Sequence, residues 1–268
     1  MMKKIFAIAG AGVVGRAVGG WLESLGIKPL YYDPLQGLGD EVALNKADVI
    51  FVCVPTPYIQ HNGYDDSAVC DVLSKLKGSK MVIVKSTVLP GSTDKYQKTF
   101  SHLKIIFNPE FLVQKQALAD FLKPTRQIVG YTPESQSVAD EVLKFLPSAE
   151  YSKTMKAIDA EMIKYFGNLF LATKVVFANQ MYDLAQAVGA DYDVIMDAGG
   201  ADPRIGRSHL EIWHDGYRGY AGACLPKDVQ AVLELASRLG VKLNLIETVH
   251  KENRRLLTLS KKSKNKLG

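Results

Sequence analysis

Short apolar runs, each followed by a polar turn or a helical segment, mark the first half of the chain. Residues 3–9 are rich in Ile, Phe and Ala, Pro29–Tyr32 form a second run, and Val49–Val54 form a third that is apolar throughout. A continuous apolar run is typical of a strand buried on both faces of a parallel sheet. The same pattern predicts further strands of this sheet at Met81–Val84, Ile105–Phe107 and Gln127–Gly130.

A glycine-rich turn separates the first two runs. Gly10, Gly12 and Gly15 form G-A-G-V-V-G, a helical pattern covers residues 16–25, and Asp33 ends the second strand 18 residues after the last glycine. Glycines at these positions allow a tight turn, close approach of the backbone to a pyrophosphate, and close packing of the helix on the strand. A carboxylate at the end of the second strand can bind a ribose 2′-hydroxyl, and no arginine follows it. The pattern therefore predicts an NAD site and favours NAD over NADP.

Helical periodicity replaces the strand pattern after about residue 150. Ala157–Val188 is one long helical pattern without proline, and shorter ones cover Val229–Leu239 and Ile246–Leu257. Between them lies a loop, Gly199–Gly222, that is rich in Gly, Arg, His and aromatic residues. The sequence therefore predicts an α/β fold: a Rossmann-type doubly wound parallel sheet in residues 1–150, followed by a mostly α-helical second domain in residues 151–268.

Composition adds limits to this picture. Of the 268 residues, 47% are hydrophobic and 23% are charged, which excludes an intrinsically disordered chain. Much of the net charge of +5 comes from Lys261, Lys262, Lys264 and Lys266, which we interpret as a solvated terminus. No apolar run approaches the roughly 20 residues of a membrane span. We expect neither a nucleic-acid nor a membrane partner, and we interpret the apolar start as a retained strand rather than a signal peptide.

Cysteine and histidine spacing argues against disulfides and metal. Cys53, Cys70 and Cys224 fit no disulfide framework, which predicts a reducing cytoplasm as the compartment. No metal site is expected, because the cysteines show no paired metal spacing and neither do the histidines His61, His102, His214 and His250.

Polar residues follow several of the predicted strands. Pro55-Thr56, Ser86-Thr87 and Asn108-Pro109-Glu110 each come directly after an apolar run. Ligands of open α/β sheets bind at the carboxyl ends of the strands, so these residues are candidates for binding coenzyme or substrate.

A second cluster of candidates lies in the helical half. In Gly219–Asp228 (GYAGACLPKD), small residues precede Cys224, and a lysine and Asp228 follow it near a predicted helix start. A nearby cation and a helix N-terminus favour a thiolate, although a buried structural cysteine beside an exposed charge pair fits this stretch equally well. On the long helix, the i, i+4 spacing of Lys164 and Asn168 places both on one face.

Taken in order along the chain, these motifs resemble the UDP-glucose/GDP-mannose dehydrogenase family from residue 3 to about residue 255. The matching pieces are GAGVVG, Asp33, VCVPTP, VKSTVLPGST, NPEFL, EMIKYFGNLFLATKVVFANQM, ADPRIG and GYAGACLPKD. The resemblance implies NAD-dependent four-electron oxidation of the primary alcohol of a sugar nucleotide to a carboxylate. Cys224 would attack the intermediate aldehyde, and the thiohemiacetal would be oxidised to a thioester that water releases.

The resemblance also implies a role for each matching residue. Lys164 and Asn168 would stabilise an oxyanion, Glu110 would act as a base, and Asp228 and Thr87 would position or activate a water. We expect coenzyme binding at Gly10, Gly12, Val14, Gly15, Asp33, Pro55, Thr56, Ser86 and Thr87, and substrate binding at Glu110, Phe111, Leu112, Lys164, Asn168, Arg204 and Gly222.

Three departures from the family pattern concern substrate recognition. Full members carry a third domain that grips the nucleotide and would begin about where this chain ends; a separate chain could supply it. Val113-Gln114-Lys115 stands where the family usually has Arg-Glu-Gly, and Ala221-Gly222 replaces a glycine pair. We therefore expect altered or weakened binding of the sugar nucleotide.

The resemblance further implies a homodimer through central helices. For this interface we expect one side of the last helical pattern: Ile246, Val249, Asn253, Leu256 and Leu257.

Two other interpretations remain open. Two-domain β-hydroxyacid dehydrogenases have a similar length and a Lys-x-x-x-Asn helix pair, but they perform one oxidation and need no cysteine. The chain could also be a non-catalytic NAD-binding subunit, although Cys224, Lys164, Asn168, Glu110 and Asp228 together favour catalysis.

Overall fold

The computed structural model describes residues 4–60 and 63–264, with side chains up to Ser260. His61 and the lysine-rich end fall outside the described side chains. The chain divides into two units, Met1–Lys164 and Tyr165–Gly268. The sequence placed the division near residue 150, whereas in the structure one more strand and the first two turns of the long helix belong to the first unit.

The first unit is built around a seven-stranded sheet. Its strands and an accompanying small hairpin are β1 (Phe6–Ala9), β2 (Leu30–Tyr32), β3 (Val49–Val52), β4 (Tyr58–Ile59), β5 (Gly63–Tyr64), β6 (Met81–Val84), β7 (Lys104–Phe107), β8 (Arg126–Tyr131) and β9 (Tyr151–Lys156). Its helices are α1 (Val13–Ser24), α2 (Glu41–Asn45), α3 (Ser67–Lys75), α4 (Ser92–Thr99), α5 (Ala117–Leu122), α6 (Gln136–Phe145) and the start of α7 (Ala157–Val188).

The sheet order is β2-β1-β3-β6-β7-β8-β9. The first five of these strands are parallel, and their order reverses between β1 and β3, which makes the carboxyl ends of these two strands a topological switch point. Side chains alternate between two cores: Phe6 and Ile8 enter one apolar cluster, while Ala7 and Ala9 enter the cluster on the other face. Burial on both faces explains why these strands are recognisable as continuous apolar runs.

The strand predicted at Gln127–Gly130 exists as part of β8, but its expected parallel direction is wrong. β8 runs antiparallel to β7, pairing Phe107 with Gly130, and β9 then runs parallel to β8. The connection leaves β7 and enters β8 at the same end of the sheet. Its helix α5 packs on α1 and does not carry the chain to the opposite end, as the helix of a parallel crossover would. The mostly exposed edge strand β9 was not predicted, since its sequence YSKTMK has no apolar run.

The second unit is mostly helical. Besides the rest of α7, it contains α8 (Tyr192–Gly200), α9 (Leu225–Arg238), α10 (Asn244–Lys264) and a short hairpin of β10 (Trp213–His214) and β11 (Tyr217–Arg218). The hairpin lies within the predicted loop 199–222. Among the described residues, the structure shows no helix with the length and apolarity of a membrane span.

The face of α10 that was expected to form a dimer contact is packed inside the unit. Val249 and Leu256 are buried, and Ile246 and Val249 join an apolar cluster with Val176 and Tyr220. The periodicity correctly showed an apolar face, but that face is covered by the same chain.

A buried carboxylate joins α7 to the N-terminus of α4 in the first unit. Glu161 accepts hydrogen bonds from the backbone N–H of Gly91 and Thr93 and from the Thr93 hydroxyl. Burial nevertheless raises the pKa of Glu161 to about 7; these hydrogen bonds oppose the rise and nearby Asp94 adds to it.

This raised pKa predicts a pH-dependent stability. Folding disfavours ionised Glu161, so its contribution to stability is full below the ordinary value of 4.5 and is lost as the pH rises through about 7. Glu161→Gln removes this titration, so the Tm of the variant minus that of the wild type should rise by at least about 5 °C from pH 5 to pH 8. The exposed control Glu141→Gln should show a constant difference. A constant difference for Glu161→Gln as well would contradict the prediction.

Candidate active site

The glycines of the first turn are required by packing at two positions and leave space at the third. A Cβ on Gly10, which has a φ of +94°, would lie 2.6 Å from the Cys53 carbonyl oxygen, and one on Gly15 would lie 1.9 Å from the Gly10 oxygen. A Cβ on Gly12 would meet no atom within 4 Å. Gly12 precedes α1, and no side chain caps this helix end. The N-terminal N–H groups of α1 therefore face open space in which an anion could bind.

Asp33 lies beside this turn. Its Oδ2 accepts hydrogen bonds from the Ala11 N–H and the Gln36 side-chain amide, both at 2.8 Å. The Arg16 guanidinium in turn donates to Gln36 Oε1 at 2.9 Å. No arginine follows Asp33 in sequence, but Arg16 of α1 is linked to the Asp33 carboxylate through the Gln36 side chain. Val14, the other residue expected to bind coenzyme in this region, is half-buried.

The loops after β3 and β6 are tied together by their polar residues. The Thr56 hydroxyl donates to the Thr87 carbonyl at 2.7 Å, and the Ser86 hydroxyl donates to the Val54 carbonyl at 2.7 Å. Both donors are buried, whereas Pro55 is exposed. Thr56 and Ser86 therefore fix the shape of the loops, while Thr87 remains partly accessible.

A buried ion pair joins Glu110, which follows β7, to Lys164, the last residue of the first unit. Lys164 Nζ lies 2.7 Å from both the carbonyl oxygen and the Oε1 of Glu110, and the two side chains are only 7% and 13% exposed. Burial acts to raise the pKa of Glu110, but the charge and hydrogen bond of Lys164, the Leu112 N–H and the charge of Lys85 outweigh it and lower the pKa. Glu110 is thus held in its ionised form.

A cavity of about 190 Å³ opens beside this pair. Its wall includes Glu110, Phe111 and Leu112, and the Arg126 guanidinium stacks over the Phe111 ring at 3.7 Å from the ring centre. Glu110, Phe111 and Leu112, the residues of N-P-E-F-L that were expected to bind substrate, therefore line one cavity of the first unit.

Lys85 is a residue of this cavity that the sequence analysis did not single out. Its ammonium is buried and donates to Asn108 Oδ1 at 2.7 Å, and burial lowers its pKa to about 8. Two sequence signals could have identified it: Lys85 directly follows a buried apolar strand, and it lies within the motif VKSTVLPGST.

The second unit holds the other candidate residues. Cys224 is exposed and occupies the N-cap position of α9, so the thiol lies at a helix N-terminus as the sequence predicted. Asp228, one turn later and 1% exposed, accepts a hydrogen bond from the Asn168 side-chain amide. Lys227 Nζ lies 2.6 Å from the other Asp228 oxygen. Asp228 is therefore fixed between a cation and an amide donor on the helix that begins at Cys224.

Two expected substrate-binding residues lie on the surface. Arg204 is 88% exposed and forms an ion pair with Asp202, and Gly222 has a φ of +79° with open space around its Cα. Among the described side chains, no group of three His, Cys, Asp or Glu residues is arranged to hold a metal ion.

Comparison with known proteins links both units to one family. Residues 38–146 match the NAD-binding domain of the UDP-glucose/GDP-mannose dehydrogenase family, and residues 158–255 match its central domain. UDP-glucose 6-dehydrogenase TuaD of Bacillus subtilis is 33% identical over 222 residues, which cover 79% of this chain and 47% of TuaD. UDP-glucose 6-dehydrogenase of Rhizobium meliloti is 32% identical, over 78% of this chain and 50% of that protein. The chain thus spans about half the length of these relatives.

Solved structures support the same fold. A UDP-glucose dehydrogenase from the archaeon Pyrobaculum islandicum matches with a TM-score of 0.80 and 28% identity, over 94% of this chain and 68% of that one. Mycobacterium tuberculosis 3-hydroxyisobutyrate dehydrogenase matches with a TM-score of 0.72 and 18% identity, over 92% and 91%, which is a likeness of fold alone. Both domain models and the shared motifs lead to one conclusion: the chain belongs to the UDP-glucose/GDP-mannose dehydrogenase family.

Proposed function

We propose that this chain catalyses the NAD-dependent oxidation of the primary alcohol of a sugar nucleotide to a carboxylate, with Cys224 as the nucleophile. The observation that carries the proposal is Cys224 at the N-terminus of α9, with Asp228 fixed one turn later by Asn168. The relatives named as UDP-glucose 6-dehydrogenases support a nucleotide sugar as the substrate class.

Residues of the first unit fit the coenzyme. The unfilled space at Gly12 and the uncapped N-terminus of α1 suit a pyrophosphate, and the Asp33 carboxylate suits a ribose hydroxyl. NAD would supply the hydride acceptor, with one NAD molecule used for each of the two oxidations.

The ion pair of the first unit suits the alcohol and its oxyanion. The Lys164 ammonium can balance the negative charge of an alkoxide, and Glu110, held ionised beside it, can accept a proton. Asn168 supplies an amide donor on the same helix. We propose that Thr87 and Asp228 position the water.

Cys224 makes the second oxidation possible. An aldehyde has no carbinol carbon that can donate a hydride. The thiolate therefore first adds to the aldehyde carbon and forms a C–S bond, which gives a thiohemiacetal with such a carbon. The adduct loses a hydride and a proton to become a thioester. Water then adds to the thioester carbon, the C–S bond breaks, and a carboxylate and the thiolate are released. The helix N-terminus favours the anionic sulfur at the start and at the end of this sequence.

We further propose a homodimer through α7 rather than through α10. In the second unit, Phe166, Phe170, Phe177, Leu184 and Val188 are all more than half exposed. At 100° per residue these positions fall within about 40° of one another around the helix, so they form one apolar stripe. A second copy of this chain would cover this stripe. A cytoplasmic location and a separate chain that supplies a nucleotide-gripping domain remain predictions.

Gly12→Ala tests the coenzyme site. The added methyl group meets no protein atom, so the Tm should stay within about 1 °C, whereas the Kd for NAD should rise at least 10-fold because the space for the pyrophosphate is reduced. Calorimetric titration measures the Kd. Gly15→Ala is the contrasting variant, because its methyl group clashes with the Gly10 carbonyl and should destabilise the fold. Unchanged NAD affinity in Gly12→Ala would refute this assignment.

Stoichiometry tests the proposed reaction. With UDP-glucose, GDP-mannose or a UDP-N-acetyl sugar, the wild type should form two NADH per substrate consumed, and Cys224→Ser should lower formation of the carboxylate at least ~10³-fold. Cys70→Ser, a change in the half-buried cysteine of α3, is the matched control and should leave the rate unchanged.

Other outcomes identify the alternatives. One NADH per substrate with full activity in Cys224→Ser would favour a β-hydroxyacid-type dehydrogenase. NAD binding without turnover of any sugar nucleotide would overturn the proposed activity and favour a non-catalytic subunit.

Charge placed on the stripe tests the dimer. Phe170→Glu removes apolar contact and buries a carboxylate, so the dimer Kd should rise at least ~30-fold, or about 2 kcal/mol. Sedimentation equilibrium measures the Kd. Leu35→Glu, which changes a 96% exposed residue off the stripe, is the control. An unaltered dimer in Phe170→Glu, or a monomeric wild type at micromolar concentration, would contradict the proposal.

A further inference from the structure

A buried asparagine on α10 holds the backbone of a residue close to Cys224. Asn253 is 3% exposed, its Oδ1 accepts the Tyr220 N–H at 2.7 Å, and its Nδ2 donates to the Tyr220 carbonyl at 2.8 Å. One side chain thus satisfies both backbone polar groups of one residue, as a neighbouring strand would. Only this orientation of the carboxamide works, because the N–H needs an acceptor and the carbonyl needs a donor.

The residues around this contact leave little room for movement. Gly219 has a φ of +84°, and a Cβ there would lie 2.4 Å from Asn253 Oδ1. The Tyr220 ring is 3% exposed and packs in the apolar cluster that includes Val249 of α10. Backbone and ring of Tyr220 are therefore both fixed to α10.

From this fixed residue the chain reaches the cysteine in four steps. Ala221 is half-buried, and Gly222, Ala223 and Cys224 are exposed. At the other end, the Cys224 carbonyl accepts the Asp228 N–H at 2.9 Å as the first turn of α9 forms. The Cys224 backbone thus lies between two fixed points, Tyr220 held by Asn253 on one side and the first turn of α9 on the other.

We infer that Asn253 is a positioning residue for Cys224, which rests on the proposed role of Cys224 as the nucleophile. Without the two hydrogen bonds, Tyr220 and the exposed residues after it can shift, and the Cys224 side chain can turn away from the N–H groups at the start of α9. A displacement of about 1 Å at a reacting atom can cost on the order of 10²-fold in rate. Because Asn253 itself is buried, we propose that it acts through Tyr220 and does not contact the substrate.

The test separates positioning from general stability by measuring the thiol directly. Alkylation of Cys224 by iodoacetamide, followed by mass spectrometry in the ligand-free protein, gives a rate constant that does not depend on activity. Asn253→Ala removes both hydrogen bonds, whereas Asn253→Asp keeps the acceptor for Tyr220 N–H and loses the donor. We expect alkylation to be at least ~3-fold slower in both, because a thiolate away from the helix N-terminus is less favoured.

Tyr192→Phe is the matched control. It also loses one buried hydrogen bond of the second unit, from the Tyr192 hydroxyl to the Leu210 carbonyl, but in a different apolar cluster. Its Tm should fall while its alkylation rate stays within twofold of the wild type. Unchanged alkylation in both Asn253 variants, or an equal decrease in Tyr192→Phe, would overturn the inference.

Turnover provides the second measurement. In the Asn253 variants kcat for carboxylate formation should fall at least ~10-fold, and the Kd for NAD should not change. If the wild type oxidises no sugar nucleotide, the proposed function fails while the alkylation result still decides whether Asn253 positions Cys224. An altered NAD affinity with unaltered kcat would count against positioning.

Discussion

The burial of charge at the carboxyl edge of the sheet constrains the first unit more than any other feature. Lys164 and Glu110 are almost completely removed from solvent, and each would cost several kcal/mol if it lacked the other. Their contact therefore fixes the second turn of α7, which carries Lys164, beside the loop after β7, which carries Glu110. Glu161, one turn earlier on α7, fixes the start of α4 in the same way. One helix thus holds two loops that follow neighbouring strands.

The same requirement accounts for the chemistry of these residues. Lys85 is buried and donates hydrogen bonds to the neutral Asn108, and its pKa falls; Glu110 is buried against a cation, and its pKa falls as well. For the lysine the shift favours the neutral form, and for the carboxylic acid it favours the charged form. Burial causes the shift of Lys85, whereas the charge and hydrogen bond of Lys164 overcome burial at Glu110. A change at Lys164 therefore acts on Glu110 even where the fold is retained.

The sequence predicted those parts of the fold that depend on local pattern. The parallel strands are buried on both faces and therefore appear as apolar runs. The helix α7 has the predicted bounds because no proline lies within it and Gly189, with a φ of +75°, follows its last residue. The direction of β8 was wrong because strand direction depends on where the connection packs, not on the strand's own residues. The face of α10 was recognised, but periodicity does not show whether a second copy or the same chain covers it. Motifs located Cys224, Asp228 and Glu110. Lys85 lies within the motif VKSTVLPGST but was given no role, and Asn253 lies in none of the quoted motifs; in both cases the hydrogen-bond partners reveal the residue.

Fold similarity does not choose between one oxidation and two. The sheet and helical unit resemble a 3-hydroxyisobutyrate dehydrogenase nearly as well as a UDP-glucose dehydrogenase. Both kinds of protein share a scaffold, so the distinction must come from side chains placed on it. The side chains that favour two oxidations in our proposal are the exposed thiol at the start of α9 and the Asp228 carboxylate that Asn168 fixes one turn later. Asn253 does not decide between one oxidation and two, because its two hydrogen bonds satisfy the buried backbone of Tyr220 whether or not the thiol reacts; the number of NADH formed per substrate and the effect of Cys224→Ser make that distinction.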